Sequence, residues 1–276
     1  MITKEDIKTA TRGLGLGNQC VCVHASLKSF GTHVDGGAPA VINALLEEGC
    51  TVMVFAMSYS YACCPPAHLR PARNATDYAW LETRTYDASK IFTPESNEMD
   101  QEGLGLIPHA LVNMPSRKRG NHPLNSFAAV GPLAEDLVSG QTALDVYAPL
   151  RKLCELGGHV LLMGVDLNKA TLIHYAEQVS GRALFVRWAN NARGEPDYCH
   201  TGGCSAGFTN FAETLKPVEK NALVGSSLWK CFPARDMLER CAGAIRKNPA
   251  ITHCGNPGCE RCNDAVAGGP VWENHK

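Results

Sequence analysis

The run from Cys20 to Ala56 is the part of this chain with the fewest structural alternatives. Cys20-Val21-Cys22-Val23-His24 is a short β-prone stretch, and the small residues from Ala25 to Gly31 form a loop. A helical spacing then runs from about Asp35 to Glu48 until Gly49 closes it, and Thr51 to Ala56 (TVMVFA) reads as a buried strand. Strand, loop, helix and buried strand in that order form a βαβ unit. Two strands so connected lie parallel under a right-handed crossover. The expected class is therefore α/β, with a central, mostly parallel sheet flanked by helices.

Further elements extend the pattern. Thr3-Lys4-Glu5-Asp6 sets a hydroxyl three residues before a carboxylate, a variant of the capping box, and Ile7, Ala10 and Leu14 recur at helical spacing up to Gly15 and Gly17. Ser126 to Val130 (SFAAV) and His159 to Met163 (HVLLM) read as strands, with helical material around Leu133 to Val138 and Pro149 to Leu156 between them. Thr171 to Val179 fits a helix, Ala183 to Trp188 a strand and Asp236 to Lys247 a helix. From Met57 to about Thr93 there is no period, and Cys63-Cys64-Pro65-Pro66 with Pro71 forbid a long element, which marks a functional loop or a disordered insertion. No repeat or linker divides the chain. Residues 1–276 are expected to form one domain with a Gly-, Asn-, Pro- and Cys-rich tail over about 250–276.

Composition narrows the function classes. With 45% hydrophobic and 19% charged residues over 276 positions there is material for an ample core, and global disorder is excluded. Lys and Arg number 26 against 27 Asp and Glu, a net charge of −1, so no field steers the chain toward nucleic acid or an anionic membrane. MITKEDIKTA lacks the apolar run of a signal peptide, and no apolar stretch approaches the roughly 20 residues that span a bilayer. A soluble cytoplasmic protein, monomeric or homodimeric, is expected. The 13 cysteines are odd in number and cannot all pair within the chain, and a cytosol keeps thiols reduced. Cys20, Cys22, Cys50 and Cys154 lie in or beside apolar runs and read as small buried hydrophobes.

Three stretches carry residues suited to chemistry. In Gly120-Asn121-His122-Pro123-Leu124-Asn125-Ser126-Phe127, the proline holds His122 out of helical backbone on a turn before a buried strand, where a neutral imidazole can accept a proton. A plain His-Pro turn is the alternative. Gly164 to Glu177 (GVDLNKATLIHYAE) begins at the C-terminal end of HVLLM, the edge of an open α/β sheet where ligands collect. Its His174 and Glu177, three apart, share one helix face; they are half of a metal site, or the helix is simply capped at Asn168 or Thr171 and solvated. The third stretch, His24-Ala25-Ser26-Leu27-Lys28-Ser29-Phe30-Gly31, offers backbone N–H groups and a lysine to phosphate oxygens, without the spacing of a P-loop or a dinucleotide fingerprint.

Taken in order, these stretches resemble the aminoglycoside 3-N-acetyltransferases, which transfer acetyl from acetyl-coenzyme A to an antibiotic amine. VHASLKSFG at 23–31 with GGAPAVINALLE after it, IFTPESNEMDQEGLGLIPHAL leading into NHPLNSFAAVGP at 121–132, and APLRKLCELGGHVLLMGVDLNKATLIHYAE at 148–177 carry the resemblance, which covers roughly residues 20–215. It implies acetyl-coenzyme A as cosubstrate and direct transfer to the 3-amino group of an aminoglycoside-like amino sugar, without a covalent enzyme intermediate. His122 would be the base that deprotonates the amine, Glu177 would orient that imidazole or hold its charge, and Thr171 would stabilise the tetrahedral oxyanion. Ser26, Leu27, Lys28, Ser29 and Gly31, with Ser58 after TVMVFAM, would cradle the pantetheine and phosphates. Asp166 and His174 would face the substrate. A cationic acceptor also wants acids around it, and Asp77 and Asp87, with Glu95, Glu98 and Asp100, cluster in or near the irregular loop. The chain departs from the family at Arg119-Gly120-Asn121, where Arg-Ser is usual.

The remaining cysteines suggest a metal. Cys254-x4-Cys259-x2-Cys262, inside HCGNPGCERC, sets three thiols among Gly and Pro turns as a structural zinc knuckle does. Cys204 in GGCSAGF is the first choice for the fourth ligand, with Cys199, His200 and His253 as rivals, and unliganded surface thiols are the alternative. Such an ion would fasten the tail, because acetyl transfer needs no Lewis acid. Three other functions compete: a binder of acyl-coenzyme A or aminoglycoside without turnover, a transferase acting on a non-aminoglycoside amine, and a hydrolase using Ser126 or a Cys beside His122. No Gly-x-Ser-x-Gly elbow occurs, which argues against the hydrolase.

Overall fold

The computed structural model describes residues 1–100 and 103–272. Its strands are β1 (Cys20–Ala25), β2 (Thr51–Met57), β3 (Lys118–Arg119), β4 (Asn125–Val130), β5 (His159–Met163), β6 (Phe185–Asn190), β7 (Pro196–Thr201), β8 (Lys220–Val224) and β9 (Ser227–Pro233). The βαβ unit is present, with β1 and β2 parallel, Cys20 opposite Thr51, and the helix Gly37–Glu47 between them. β5 lies parallel to β1 on its other side, Val21 opposite His159. The full order is β3-β4-β2-β1-β5-β9-β8. The sheet is thus mixed, parallel at its centre. β4 and β9 run antiparallel to their inner neighbours, and the outermost β3 and β8 return to the central direction. β6 and β7 form a separate antiparallel hairpin.

Side-chain alternation along the central strands divides the core into two layers. Val21, Val23, Val52 and Val54 face the helices Lys4–Gly13, Gly37–Glu47 and Leu106–Val112, while Cys20, Cys22 and Met53 face Ala148–Glu155, Leu172–Val179 and Ala234–Lys247. Both faces are covered, which is why TVMVFA is apolar at every position after Thr51. The first helix starts as expected: Thr3 Oγ1 accepts from Asp6 N–H, and the Asp6 carboxylate accepts from Thr3 N–H at 2.8 Å.

The irregular stretch after β2 is tied to the hairpin. Asn74 exchanges two 2.9 Å hydrogen bonds with the backbone of Val186, and Trp188 Nε1 donates to the Leu69 carbonyl at 2.7 Å. Nearer the sheet edge, Arg117 and Arg119 donate to the carbonyls of Pro94, Glu95, Ser96 and Glu98. Gly120 packs on Gln141; a Cβ there would lie 2.1 Å from Gln141 Oε1. That glutamine is occupied, because it bonds Phe127 N–H and the carbonyls of Asn125 and Val146. Among the described residues no helix is long and apolar enough to cross a membrane.

Candidate active site

Because β1, β2 and β5 are parallel, their C-terminal ends meet at one sheet edge, the place where such folds bind ligands. A cavity of about 800 Å³ opens there. Ser26 to Lys28 follow β1 into its wall, Gly164 to Asp166 and Asn168 to Thr171 follow β5, and Gly202 and Gly203 follow β7. Gly164 turns with φ +64°, and a Cβ on it would sit 1.9 Å from Ser29 Oγ, so this turn requires glycine.

His174 lines this cavity from the helix Leu172–Val179. Its Nδ1 lies 2.8 Å from Glu177 Oε2, and the i, i+3 spacing is what brings the two together. A carboxylate only accepts, so Nδ1 carries the proton and Nε2 is left with its lone pair. Among the described residues Nε2 has no hydrogen-bond partner. The other Glu177 oxygen accepts from Arg182 Nη1 at 2.6 Å, and Arg182 also reaches Thr252 Oγ1. Glu177 and Arg182 are both buried, so this ion pair holds the carboxylate in one orientation. Phe208 packs edge-on against the imidazole with centroids 4.6 Å apart. Gly202 closes the other side, since a Cβ there would meet His174 Cδ2 at 2.8 Å and the Tyr147 hydroxyl at 2.7 Å.

Thr171 is half-buried in the cavity wall three residues before His174, and its hydroxyl has no partner among the described residues. The Tyr147 phenol also lines the cavity; burial, with the Glu177 charge, pushes its pKa well above the usual range and keeps it a proton donor. Asn125, at the start of β4, is 6% exposed, lines the cavity and leaves Oδ1 without a partner among the described residues. His24 is held neutral, its pKa pushed down to about 4 by burial and secondarily by Lys169.

His122 is placed elsewhere, which corrects its assignment as the base. The ring is fully buried and does not line the cavity. Its Nδ1 accepts from the N–H groups of Leu124 (3.2 Å) and Asn125 (2.9 Å), so Nε2 carries the proton and donates to the His200 carbonyl at 2.8 Å. Neither nitrogen is free to take a proton, and burial pushes the pKa down to about 4. Glu177 therefore orients His174 and not His122. His122 instead ties the first residue of β4, Asn125, to the end of β7, just before Gly202.

Other expected residues divide in the same way. Ser26, Leu27 and Lys28 line the cavity, but Ser29 and Gly31 do not. Ser29 Oγ donates to the Ser26 carbonyl and bonds Ser227 Oγ, and Gly31 ends the turn at φ +71° against Ser226. Ser58 is buried and donates to the Pro123 carbonyl at 2.8 Å, so it anchors the His122 loop and touches no cofactor space. Asp166 lines the cavity, with Lys230 Nζ at 3.3 Å. Asp77 caps the helix Tyr78–Glu82 and lines a smaller cavity of about 330 Å³. Asp87 is exposed, bonded to Ser89 outside both cavities; Glu98 pairs with Lys90, and Asp100 accepts from Tyr59 N–H. Ser126 Oγ donates to the Ala56 carbonyl and accepts from Arg119, so this hydroxyl is engaged on both sides, and Ser126 does not line the large cavity. The sulfurs of Cys204, Cys254, Cys259 and Cys262 come within 4.8 Å of one another. Sequence reasoning missed Tyr147, Asn125, Gly202, Arg182 and Arg261, the last of which lines both cavities.

Comparison with known proteins agrees with this architecture. The sequence profile of the aminoglycoside 3-N-acetyltransferase family matches residues 22–243. The chain is 35% identical over 187 residues to aminoglycoside N(3)-acetyltransferase III of a Salmonella species, covering 65% of this chain and 62% of the relative. It is 36% identical over 177 residues to aminoglycoside N(3)-acetyltransferase VIII of Streptomyces fradiae, covering 60% and 56%. The matched stretch spans less than two thirds of either relative. Among solved structures, a mutant of aminoglycoside acetyltransferase AAC(3)-IVa in complex with a gentamicin has a TM-score of 0.76 at 23% identity over 97% of both chains. The binary complex of AAC-IIIb with CoASH gives 0.71 at 22% identity, over 89% of this chain and 96% of that one. These likenesses establish the fold. With the profile spanning most of its length, the chain belongs to the aminoglycoside 3-N-acetyltransferase family.

Proposed function

We propose that this protein transfers acetyl from acetyl-coenzyme A to the 3-amino group of an aminoglycoside-like amino sugar, with His174 as the general base. One observation carries the proposal: an imidazole in the wall of the large cavity whose Nδ1 is locked to Glu177 and whose Nε2 has no partner among the described residues. An ammonium ion is no nucleophile, so the acceptor enters the reaction as its neutral amine, having given one proton to solvent. Nε2 takes a proton from the amine as its nitrogen attacks the thioester carbonyl, and Glu177, backed by Arg182, stabilises the imidazolium that forms. The Thr171 hydroxyl donates to the tetrahedral oxyanion. Collapse of that intermediate breaks the carbon–sulfur bond, and the departing thiolate takes the proton back from Nε2. No covalent enzyme intermediate arises.

The cosubstrate assignment draws on Ser26 to Lys28 and Lys169 in the cavity wall, where two ammonium groups suit phosphates, and on the relative bound to CoASH. The acceptor assignment draws on the unpartnered Asn125 Oδ1, which suits an ammonium or hydroxyl donor, and on the relative bound to a gentamicin. A second acceptor class, an amine of low positive charge, is favoured by one fact. Asp166 is the only carboxylate among the described lining residues of the large cavity, while Asp77 shares the smaller one with Arg187 and Arg261. The test is free-thiol production from acetyl-coenzyme A across a panel of amino sugars and simple amines. Amine-dependent release is expected, strongest with aminoglycosides. Release without amine would make the protein a hydrolase, and no release, with coenzyme A bound, a binder.

A further inference from the structure

We infer that Cys204, Cys254, Cys259 and Cys262 hold one zinc ion as four thiolates, and that this ion fastens the segment after β7 to the C-terminal segment that carries Arg261 into the cavity wall. Zinc with four sulfurs at about 2.3 Å places them about 3.8 Å apart, so a cluster already within 4.8 Å needs only small side-chain rotations to close on the ion. The ligands come from two places far apart in the chain. Cys204 lies two residues beyond Gly202, whereas Cys254 sits on a loop, Cys259 directly precedes the helix Glu260–Val266, and Cys262 lies in its first turn. None is in a disulfide. The Cys254 N–H already points at Cys262 Sγ, 3.4 Å away, as backbone donors do toward metal-bound thiolates.

The rival ligands are engaged elsewhere. Cys199 is buried in a cluster with Tyr61 and Phe92, and His200 Nδ1 is bonded to the Leu144 carbonyl. His253 accepts from Gly255 N–H and bonds Asn263, which makes it a support of the Cys254 turn. A cross-link has a structural task here. Residues 255–258 and 260–261 are exposed, so little apolar burial holds this segment in place. Four thiolates also select zinc or iron over the hard cations. On binding, each thiol gives its proton to solvent and its lone pair to the ion.

Arg261 lies between two of these ligands and lines both cavities. The zinc site rests on sulfur geometry alone; that Arg261 meets the acceptor rests on the function proposed above. The first test is elemental analysis of the full-length protein purified without chelator. About one zinc per chain is expected, released to a colorimetric chelator as an organomercurial titrates four thiols. Cys204→Ser and Cys259→Ser should each lower bound zinc at least fivefold, while Cys64→Ser leaves it unchanged. Less than about a tenth of an equivalent in folded wild-type protein, disulfides among the four, or iron with its visible absorbance would overturn the site. Hydrogen exchange tests the fastening: removing zinc should speed exchange at both 202–206 and 254–262, and unchanged exchange at 202–206 overturns it. If the fastening serves the acceptor, zinc removal raises the acceptor KM at least threefold and leaves that for acetyl-coenzyme A unchanged. Inactivity of the zinc-loaded protein toward every amine would sink the functional reading and leave the metal site standing.

Discussion

His122 and His174 are both candidates for a proton-accepting imidazole, and what separates them is their second nitrogen. His122 spends Nδ1 on two backbone N–H groups and Nε2 on the His200 carbonyl. His174, in the cavity wall, spends Nδ1 on Glu177 and leaves Nε2 without a partner among the described residues. A base needs one nitrogen fixed and one free; a ring with both engaged is a peg. Proline beside a histidine signals an unusual backbone, but only the partners that the fold supplies decide which of these two things the ring becomes.

The sharpest way to break the comparison is to remove each ring in turn. His174→Ala should lower amine-dependent thiol release by about 10²- to 10⁴-fold, the range for loss of a general base, with the melting temperature nearly unchanged. A retained rate at neutral pH would return the role to another group. Thr171→Val should follow at about 10²-fold in kcat with little change in coenzyme A affinity, as expected for an oxyanion donor. If KM rises and kcat holds, Thr171 binds the ground state and donates nothing to the oxyanion.

The same contrast explains how much the sequence discloses. β1, β2 and β5 are covered on both faces, so their burial is written into unbroken apolar runs, and the segments after them reach the sheet edge wherever parallel strands end. Ser26 to Lys28, Asp166 and Thr171 are legible for that reason. β8 and β9 are less so: Leu223 and Leu228 are 70% and 46% exposed on this edge hairpin, which blurs the alternation. His174 and Glu177 are visible as a pair on one helix face. Their task depends on Gly202, Phe208 and Arg182, which converge from other elements and leave no mark at i, i+3. Tyr147 belongs to none of the motifs, and Asn125 sits inside the His-Pro stretch with nothing local to single it out. His122 misleads because its decisive partner, the His200 carbonyl, lies 78 residues away.

His122→Ala should therefore damage the fold more than the chemistry. It strands the N–H groups of Leu124 and Asn125 and the His200 carbonyl in a dry interior, and each stranded group costs about 1–3 kcal/mol unless water enters the space. A net loss of about 2–4 kcal/mol, seen as a melting temperature lower by about 5–10 °C, is expected, with turnover of the folded fraction down less than tenfold. A variant that melts like wild type yet has lost turnover would reverse the roles of the two rings.

The smallest effect is in pH dependence, and its sign follows from the same burial. His24 and His122 have pKa values near 4 when folded against about 6.5 in the unfolded chain, so between those limits the unfolded state binds protons that the folded state refuses. Their contribution to stability is complete above about pH 6.5 and is lost as the pH falls toward 4, with a slope of at most about 1.4 kcal/mol per pH unit for each ring. Carboxylates held low by hydrogen bonds, such as Asp6 and Asp87, also lose stability in acid, but do so below their ordinary range and equally in a His122 variant. The difference between wild type and His122→Ala in urea midpoint, followed from pH 7 to 4.5, isolates one ring. That difference should shrink as the pH falls, because the wild type alone loses the share that His122 supplies. A constant difference would mean that the ring takes up its proton as readily folded as unfolded, and a peg with an open nitrogen is no longer a peg.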